Sequence, residues 1–577
     1  MFKSKCIQHR YLIAFFLFLF AFYGYNIQRV YGFIFFPDEF GYWSYAAKAL
    51  GYDWSAIVSL GSYYSYGYSL ILFPILKIFK SGVMAYRVAI TVNFVLLGVD
   101  ALVLNRILGK LAGTNAKWKD CIPFFTGIAL FYPPVLFYAK TSMVETVLMS
   151  MFLLIMFFLY HYLENNRLST LAVLLIITVY IHFLHMRAVG IAIAVLLTIV
   201  VYFIRNSKKA KHVILALLIG TVLVLIGFGM KTWLQTMMYG GAAAETIHIN
   251  DYAGQLVKIR HIFSKEGMTD FICGLCGKIL YLGLASFGLV YFGIIKCLRE
   301  IKIYFRDKKE TTKLIYLFFL LSLVGEILIN AIYNIYPTRV DSVVYGRYDE
   351  FVLPVFMALG VMEVLDCKRI WTKMLCIIPS HALMTYLAIY EIEKYQLTDI
   401  HGYFMVGISY LHYLVEYTTK NFFWSTYLFG TLLMFAVLVI LRIVEKKKMP
   451  FFMVGIILIE FLFFARASQI YLDTSSLGAY RDSIMAEKIE ELMQREDDRR
   501  IIYLRENDDC VISSIQFLLP DEKIEIVPAK ENVEDYTTDE IDANDILLIG
   551  YESTYGEKLE GLYRNSMLEG RFRIYYN

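Results

Sequence analysis

Apolar residues run almost unbroken through the first 465 positions, interrupted only by short polar breaks. The runs fall near 11–27, 83–105, 121–138, 144–161, 168–185, 188–204, 212–229, 274–296, 314–332, 350–365, 372–390, 422–442 and 450–465. Most of them approach the ~20 residues that carry an α-helix across a bilayer. In lipid a helix satisfies its own backbone, so the pattern predicts about 13 transmembrane helices. The grammar changes after residue 465. Residues 479–495 read as a helix, Ile501–Leu504, Ile524–Val527 and Ile546–Ile549 as short strands, the segment after Tyr551 as a helix, and Arg571–Tyr576 as a last strand. Alternating strand and helix predicts a small α/β domain. The expected fold is therefore mainly α. A polytopic membrane body spans 1–465, and a small external C-terminal α/β domain spans 466–577.

Composition sharpens this picture. The 577 residues are 58% hydrophobic and only 18% charged, against about 25% charged in an ordinary soluble chain. A soluble enzyme, a disordered chain, a disulfide scaffold and a single-span anchor are all excluded. The net charge of +4 hides a split. Residues 466–577 hold 13 Lys and Arg against 25 Asp and Glu, a net −12, whereas the rest holds 42 against 26, a net +16. An acidic, polar tail on a basic, apolar body supports the two-part reading. Of eight cysteines only Cys273 and Cys276 form a CxxC, and no second pair completes a zinc site. The N-terminal apolar stretch lacks a small-residue cleavage site and is read as a retained span.

Basic residues orient the spans. With Lys3, Lys5 and Arg10 placed in the cytoplasm, alternation puts three groups inside: Arg106, Lys110, Lys117 and Lys119; Arg205, Lys208, Lys209 and Lys211; and Arg299, Lys302, Arg306, Lys308 and Lys309. Lys368, Arg369 and Lys373 follow them, as do Lys446, Lys447 and Lys448, as the positive-inside rule requires. The long loops 28–82, 230–273 and 333–349 then all face outward, together with the C-terminal domain. Long loops in compact proteins are usually functional, so the working surface is expected to be external.

Several residues on that surface suit chemistry. Asp38 and Glu39 stand together in Phe36-Pro37-Asp38-Glu39-Phe40, just after a membrane exit. Phe40, Trp43, Ala47 and Leu50 follow at helical spacing, which predicts a helix lying in the interface with one face in the headgroups. A carboxylate there suits proton abstraction or the holding of a divalent cation. Tyr64 and Tyr66 belong to the tyrosine-rich stretch Ser62-Tyr63-Tyr64-Ser65-Tyr66-Gly67-Tyr68, whose rings suit sugar stacking or headgroup anchoring. Glu145 is an acid at the outer end of an apolar run, which marks a site by default. His185 and Arg187 cluster at another outer end, and Arg347 with Tyr348 closes a third loop. An arginine at a membrane surface suits a lipid phosphate, and a tyrosine can donate a second hydrogen bond to it. Asp349 and Glu350 are read as the first turn of a helix, and Asp100, Glu326, Glu363 and Glu460 as buried acids with unassigned partners.

Pro37-Asp38-Glu39-Phe40, Tyr64-Ser65-Tyr66-Gly67-Tyr68-Ser69-Leu70, Tyr132-Pro133-Pro134 followed by Glu145, and Gly346-Arg347-Tyr348 occur in that order. Together they resemble the GT-C superfamily of integral-membrane glycosyltransferases, in its protein O-mannosyltransferase and aminoarabinose-transferase branch. The resemblance covers roughly 10–365 and leaves the tail unmatched. It implies a sugar donor carried on a polyprenyl phosphate and a glycan, lipid or protein acceptor at the external face of a plasma membrane. It implies Asp38 as the catalytic acid of the first loop and Arg347 in the donor-phosphate site; the residues themselves add Glu39 beside the first and Tyr348, Arg187 and His185 beside the second. It leaves Glu145 in a metal or acceptor site; with Asp38 it would hold a divalent ion such as Mg, Mn or Zn. Nothing in the chain points to nucleic acid. A lipid-linked glycan flippase and a polysaccharide polymerase or ligase are the alternatives. The first would show repeated halves around a midplane site, and none is visible.

Overall fold

Helices form along the apolar runs; Pro133 and Pro134 divide one of them, while Pro74 and Pro379 lie inside helices. The computed structural model describes residues 2–60, 64–113, 118–206, 210–239, 252–307, 310–367, 369–412, 418–495, 499–506, 510–532, 535–560 and 562–577. Ser62, Tyr63 and residues 240–251 of the predicted external loops lie outside them, as do Lys117, Lys208, Lys209, Lys308, Lys309 and Lys368 of the basic clusters. Among the described residues, nine helices are long and apolar enough to cross a membrane, including Gly82–Leu111, Glu145–Asn165 and Lys211–Met238. The chain is a multi-pass membrane protein.

Of the remaining predicted runs, 11–27 lies in one helix, Phe2–Asn26, to within its last residue, and others are shortened or divided. The run 121–138 splits into Ile122–Leu130 and Pro133–Tyr138. Pro133 and Pro134 supply no N–H to continue the ladder, and Tyr132 before them leaves the helical region. Leu168–Leu184 has 17 residues and Leu353–Asp366 has 14. The run 274–296 covers parts of two helices, Lys265–Ala285 and Leu289–Arg306, which meet where Phe287 and Gly288 both take positive φ. They keep one direction. Tyr281 of the first meets Glu350, and Arg299 of the second pairs with Glu363 at 2.7 Å.

The helix predicted for the first loop exists, over Asp38–Ala49, but it does not lie in an interface. Every residue from Glu39 to Ala47 is buried. The short helix Ser69–Ile78 covers one side, where Ser69 donates to the Tyr42 carbonyl at 2.5 Å. The C-terminal unit covers another: Trp43 meets Phe517 at a ring separation of 5.0 Å. A sequence window cannot see that cover, which comes from residues more than 450 positions away.

The last span, Met449–Ala467, passes through a wider π-type winding at Ser468–Asp473 straight into the helix Thr474–Met493. No proline interrupts it, so the tail is attached by a continuous helical rod. Beyond it lie five strands: β1 Ile501–Arg505, β2 Ile524–Pro528, β3 Ile546–Gly550, β4 Asn565–Glu569 and β5 Phe572–Tyr576. Their order is β2-β1-β3-β5-β4. β1 pairs parallel to β2 and β3, and β5 runs antiparallel to β3 and β4. The expected helix after Tyr551 is only the four residues Gly556–Leu559, and β4 follows where no strand was predicted. β4 is an edge strand with three of its five residues exposed, so it lacks the apolar alternation that marks a strand. Alternation is clean in the central strands. Ile501, Tyr503, Ile546, Leu548 and Ile574 join the main core, while Ile502, Leu504, Leu547, Ile549 and Tyr575 form a separate outer cluster.

Candidate active site

Four local structures aim charged groups at one point. Asp38 opens the helix Asp38–Ala49, where a carboxylate meets the positive end of the helix dipole. Glu145 opens Glu145–Asn165 in the same way. Arg187 sits in the short turn Met186–Ala188 between two helices, and Arg347 in the turn Gly346–Tyr348. Arg347 bridges the two acids: its Nη1 lies 2.5 Å from Asp38 Oδ2 and its Nε 2.6 Å from Glu145 Oε1. Arg187 Nη2 reaches the same Glu145 oxygen at 3.0 Å. Tyr64 donates to Asp38 Oδ1 at 2.6 Å.

Burial makes these charges expensive unless they are paired. Arg187 is 2% exposed, Arg347 3% and Glu145 4%. Burial opposes the charge on Arg347, but Glu145 and Asp38 outweigh it and hold the guanidinium well above its ordinary pKa. Burial, followed by the Asp38 charge, pushes the Tyr64 phenol well up, so it stays a donor. Arg187 Nε and Nη1 and the Tyr42 hydroxyl are buried with no hydrogen-bond partner among the described residues. The Arg187 guanidinium also stacks 4.5 Å from the Tyr348 ring centroid, and His185 accepts from the Arg187 backbone N–H at 3.3 Å.

All of these except Glu145 line one cavity of about 670 Å³. Its further wall is aromatic and basic, with Tyr333, Tyr345, Phe404, Lys258 and Arg339. Tyr345, Tyr348 and Phe404 form a hydrophobic cluster of their own, apart from the main core.

The structure therefore brings together Asp38, Tyr64, Glu145, His185, Arg187, Arg347 and Tyr348. Two predicted residues stand elsewhere. Glu39 is fully buried and locked as a structural clamp. Its Oε1 accepts from the Ile34 and Phe35 backbone N–H groups at 2.7 and 2.9 Å, and its Oε2 from Ser142 N, Ser142 Oγ and Tyr86 at 2.7, 2.6 and 2.6 Å. With five donors it has no lone pair aimed at a substrate. Tyr66 turns away from the cavity, donating to the Gly227 carbonyl at 3.1 Å and packing on Phe183. Asp349 and Glu350 precede the helix start at Leu353 and bond Asn330 and Tyr281 instead. Asp100 accepts from Ser150 at 2.7 Å. Cys273 and Cys276 are free thiols.

Tyr42 was legible in principle, since it stands four residues after Asp38 and shares its helix face. Lys258, Tyr333 and Phe404 carry no such signal, because only the fold brings their loops to this wall.

The expected metal pair, Asp38 and Glu145, does not fit a divalent cation as placed. Arg347 stands between the two carboxylates, and two guanidiniums already balance their charge. Among the described residues no group of three or more His, Cys, Asp or Glu side chains converges. No step below is routed through a metal.

No family model matches the sequence, and no curated protein matches it. Solved structures do match. ArnT from Cupriavidus metallidurans in the apo state superposes with a TM-score of 0.53 at 13% identity, over 98% of this chain and 97% of that one. The same protein bound to undecaprenyl phosphate gives 0.50 at 12% identity, with the same coverage. The match takes in the tail, which the motifs did not reach. Over nearly its whole length the chain thus has the fold of ArnT.

Proposed function

We propose that this protein is a glycosyltransferase that moves a hexosyl or pentosyl unit from a polyprenyl-phosphate donor to an acceptor at the external face of a plasma membrane. The N-terminus is cytoplasmic and the C-terminal unit external, following the basic clusters. The observation that carries the reading is that Asp38, paired with the buried Arg347, shares the wall of one cavity with a second buried arginine, Arg187. The fold shared with ArnT, solved with undecaprenyl phosphate bound, supports it.

The chemistry follows from the charges. The acceptor oxygen attacks the anomeric carbon while the bond from that carbon to the phosphate oxygen breaks, its electron pair leaving with the phosphate. Asp38 takes the acceptor proton, and attack opposite the leaving group inverts the anomeric centre. Phosphate leaves without a general acid, so the help it needs is fixed positive charge where its own charge grows. Arg187 has two unpartnered N–H-bearing nitrogens for it, and Arg347 is its neighbour. Donor binding also regulates the base. A phosphate that engages Arg347 Nη1 competes with Asp38 for it, releasing the carboxylate only when the donor is in place.

An Asp38→Asn variant in lipid nanodiscs tests this. Sugar transfer from a polyprenyl-phosphate donor should fall by about 10²- to 10⁴-fold, the usual worth of a general base, while undecaprenyl phosphate still binds. Undiminished turnover would remove Asp38 from the mechanism. Net lipid movement without transfer would favour a flippase.

A further inference from the structure

Residues 466–577 take no part in the chemistry above, yet they touch the Asp38 segment on both sides. Phe517, on the short helix Ser513–Leu518, is fully buried. Its ring stands 4.2 Å from Phe33, 5.0 Å from Trp43, 6.3 Å from Tyr86 and 6.4 Å from Trp54. All four belong to the first external loop or to the start of the next helix. Nearby, Trp54 donates its indole N–H to the Pro520 carbonyl at 3.0 Å. On the other side, Arg571 lies 4.7 Å over the ring of Phe36, two residues before Asp38. Arg571 is itself held by Asp482, which accepts from Ser514 at 2.6 Å. The aromatic contact continues inward. Trp43 donates to Ser142 Oγ at 3.1 Å, and Ser142 donates to Glu39, the clamp next to Asp38.

We propose that the C-terminal unit is a positioning element for Asp38, with Phe517 as its wedge. This rests on the glycosyltransferase reading and extends it. The wedge fills the space under Trp43 and holds one face of the Asp38 helix, while Arg571 holds the segment entering that helix. A rigid support of this kind matters because a displacement of about 1 Å at a reacting group can cost about 100-fold in rate. The unit is well built for the task. One face of its sheet joins the main core that contains Phe517, so the wedge is continuous with the packed body, while the other face carries a separate outer cluster around Leu547.

The test uses the full chain in nanodiscs and three variants. Phe517→Ala removes the wedge, Phe517→Met refills most of its volume, and Leu547→Ala weakens the outer cluster without touching the first loop. Two quantities are read: hydrogen exchange of the backbone over residues 33–49, and steady-state transfer with the polyprenyl-phosphate donor used in the Asp38 experiment. For Phe517→Ala, exchange over 33–49 should rise by about 10-fold or more. Its kcat should fall by about 10- to 100-fold with the donor KM within about 3-fold, since the arginines are intact. Phe517→Met should recover most of both, and Leu547→Ala should change neither. Unchanged exchange in Phe517→Ala overturns the proposal. So does an equal effect of Leu547→Ala, which would reduce the contact to general stability. If the wild-type chain transfers no sugar while the exchange pattern holds, the glycosyltransferase reading fails and the support of residues 33–49 stands.

Discussion

Asp38 and Glu39 are adjacent acids of nearly the same chemistry, and their fates differ because successive helix residues point about 100° apart. One turns to the cavity and the other into the protein, where five donors hold it. Asp349 shows how burial acts on a single acid. Burial raises its carboxyl to about 7, even though Asn330, Lys278 and Arg187 all favour the charged form. An unfolded aspartate titrates at about 3.9. The folded state therefore binds a proton between those values that the unfolded state has released, and stability falls as pH rises through that interval. Asp349→Asn should flatten this decline. Thermal unfolding of the two proteins measured from pH 5 to pH 8 should show the gap between them changing in favour of the variant. Parallel curves would remove Asp349 as the source. Residue types were readable in advance at Asp38, Arg187 and Arg347, because charge at the end of an apolar run is rare and costly. Partnership was not readable, and so Glu39 and Tyr66 were placed in the site.

At the scale of elements, the apolar runs predicted helices well and their interruptions poorly. The Pro133-Pro134 pair is a visible breaker, but the bend at Phe287 and Gly288 lies inside a continuous apolar run. The helices Leu289–Arg306 and Leu353–Asp366 then pack closely through small residues. A Cβ on Gly360 would stand 2.0 Å from the Leu289 carbonyl oxygen, and one on Gly293 would stand 2.5 Å from that of Phe356. In a membrane protein such close backbone approach supplies much of the packing that holds helices together. Gly360→Ala should therefore force the pair apart and cost about 1–3 kcal/mol, the usual range for overpacking. Thermal unfolding in detergent would reveal it, and a variant as stable as the wild type would show that the contact yields freely.

At the scale of the whole molecule, the cavity joins loops that are hundreds of residues apart. A ligand that binds only the folded state stabilises it, by about 2.7 kcal/mol at 100 times its Kd. On the proposed function, undecaprenyl phosphate should accordingly raise the unfolding temperature of the wild-type chain. Arg187→Gln, which removes the buried guanidinium with two unpartnered nitrogens, should lose most of that protection. Equal protection in both proteins would place the phosphate elsewhere.

From the sequence alone came the membrane architecture, the acidic tail, four of its five strands and the charged residues Asp38, Glu145, Arg187 and Arg347. Each is a local property: an apolar run, a period of two, or a costly charge in an apolar setting. Only the tertiary structure decided which acid faces the cavity, that Arg347 lies between Asp38 and Glu145, and that the tail encloses the helix beginning at Asp38. Those outcomes depend on contacts between distant segments, where the packing of Phe517 or the direction of one helix face is set by the whole fold.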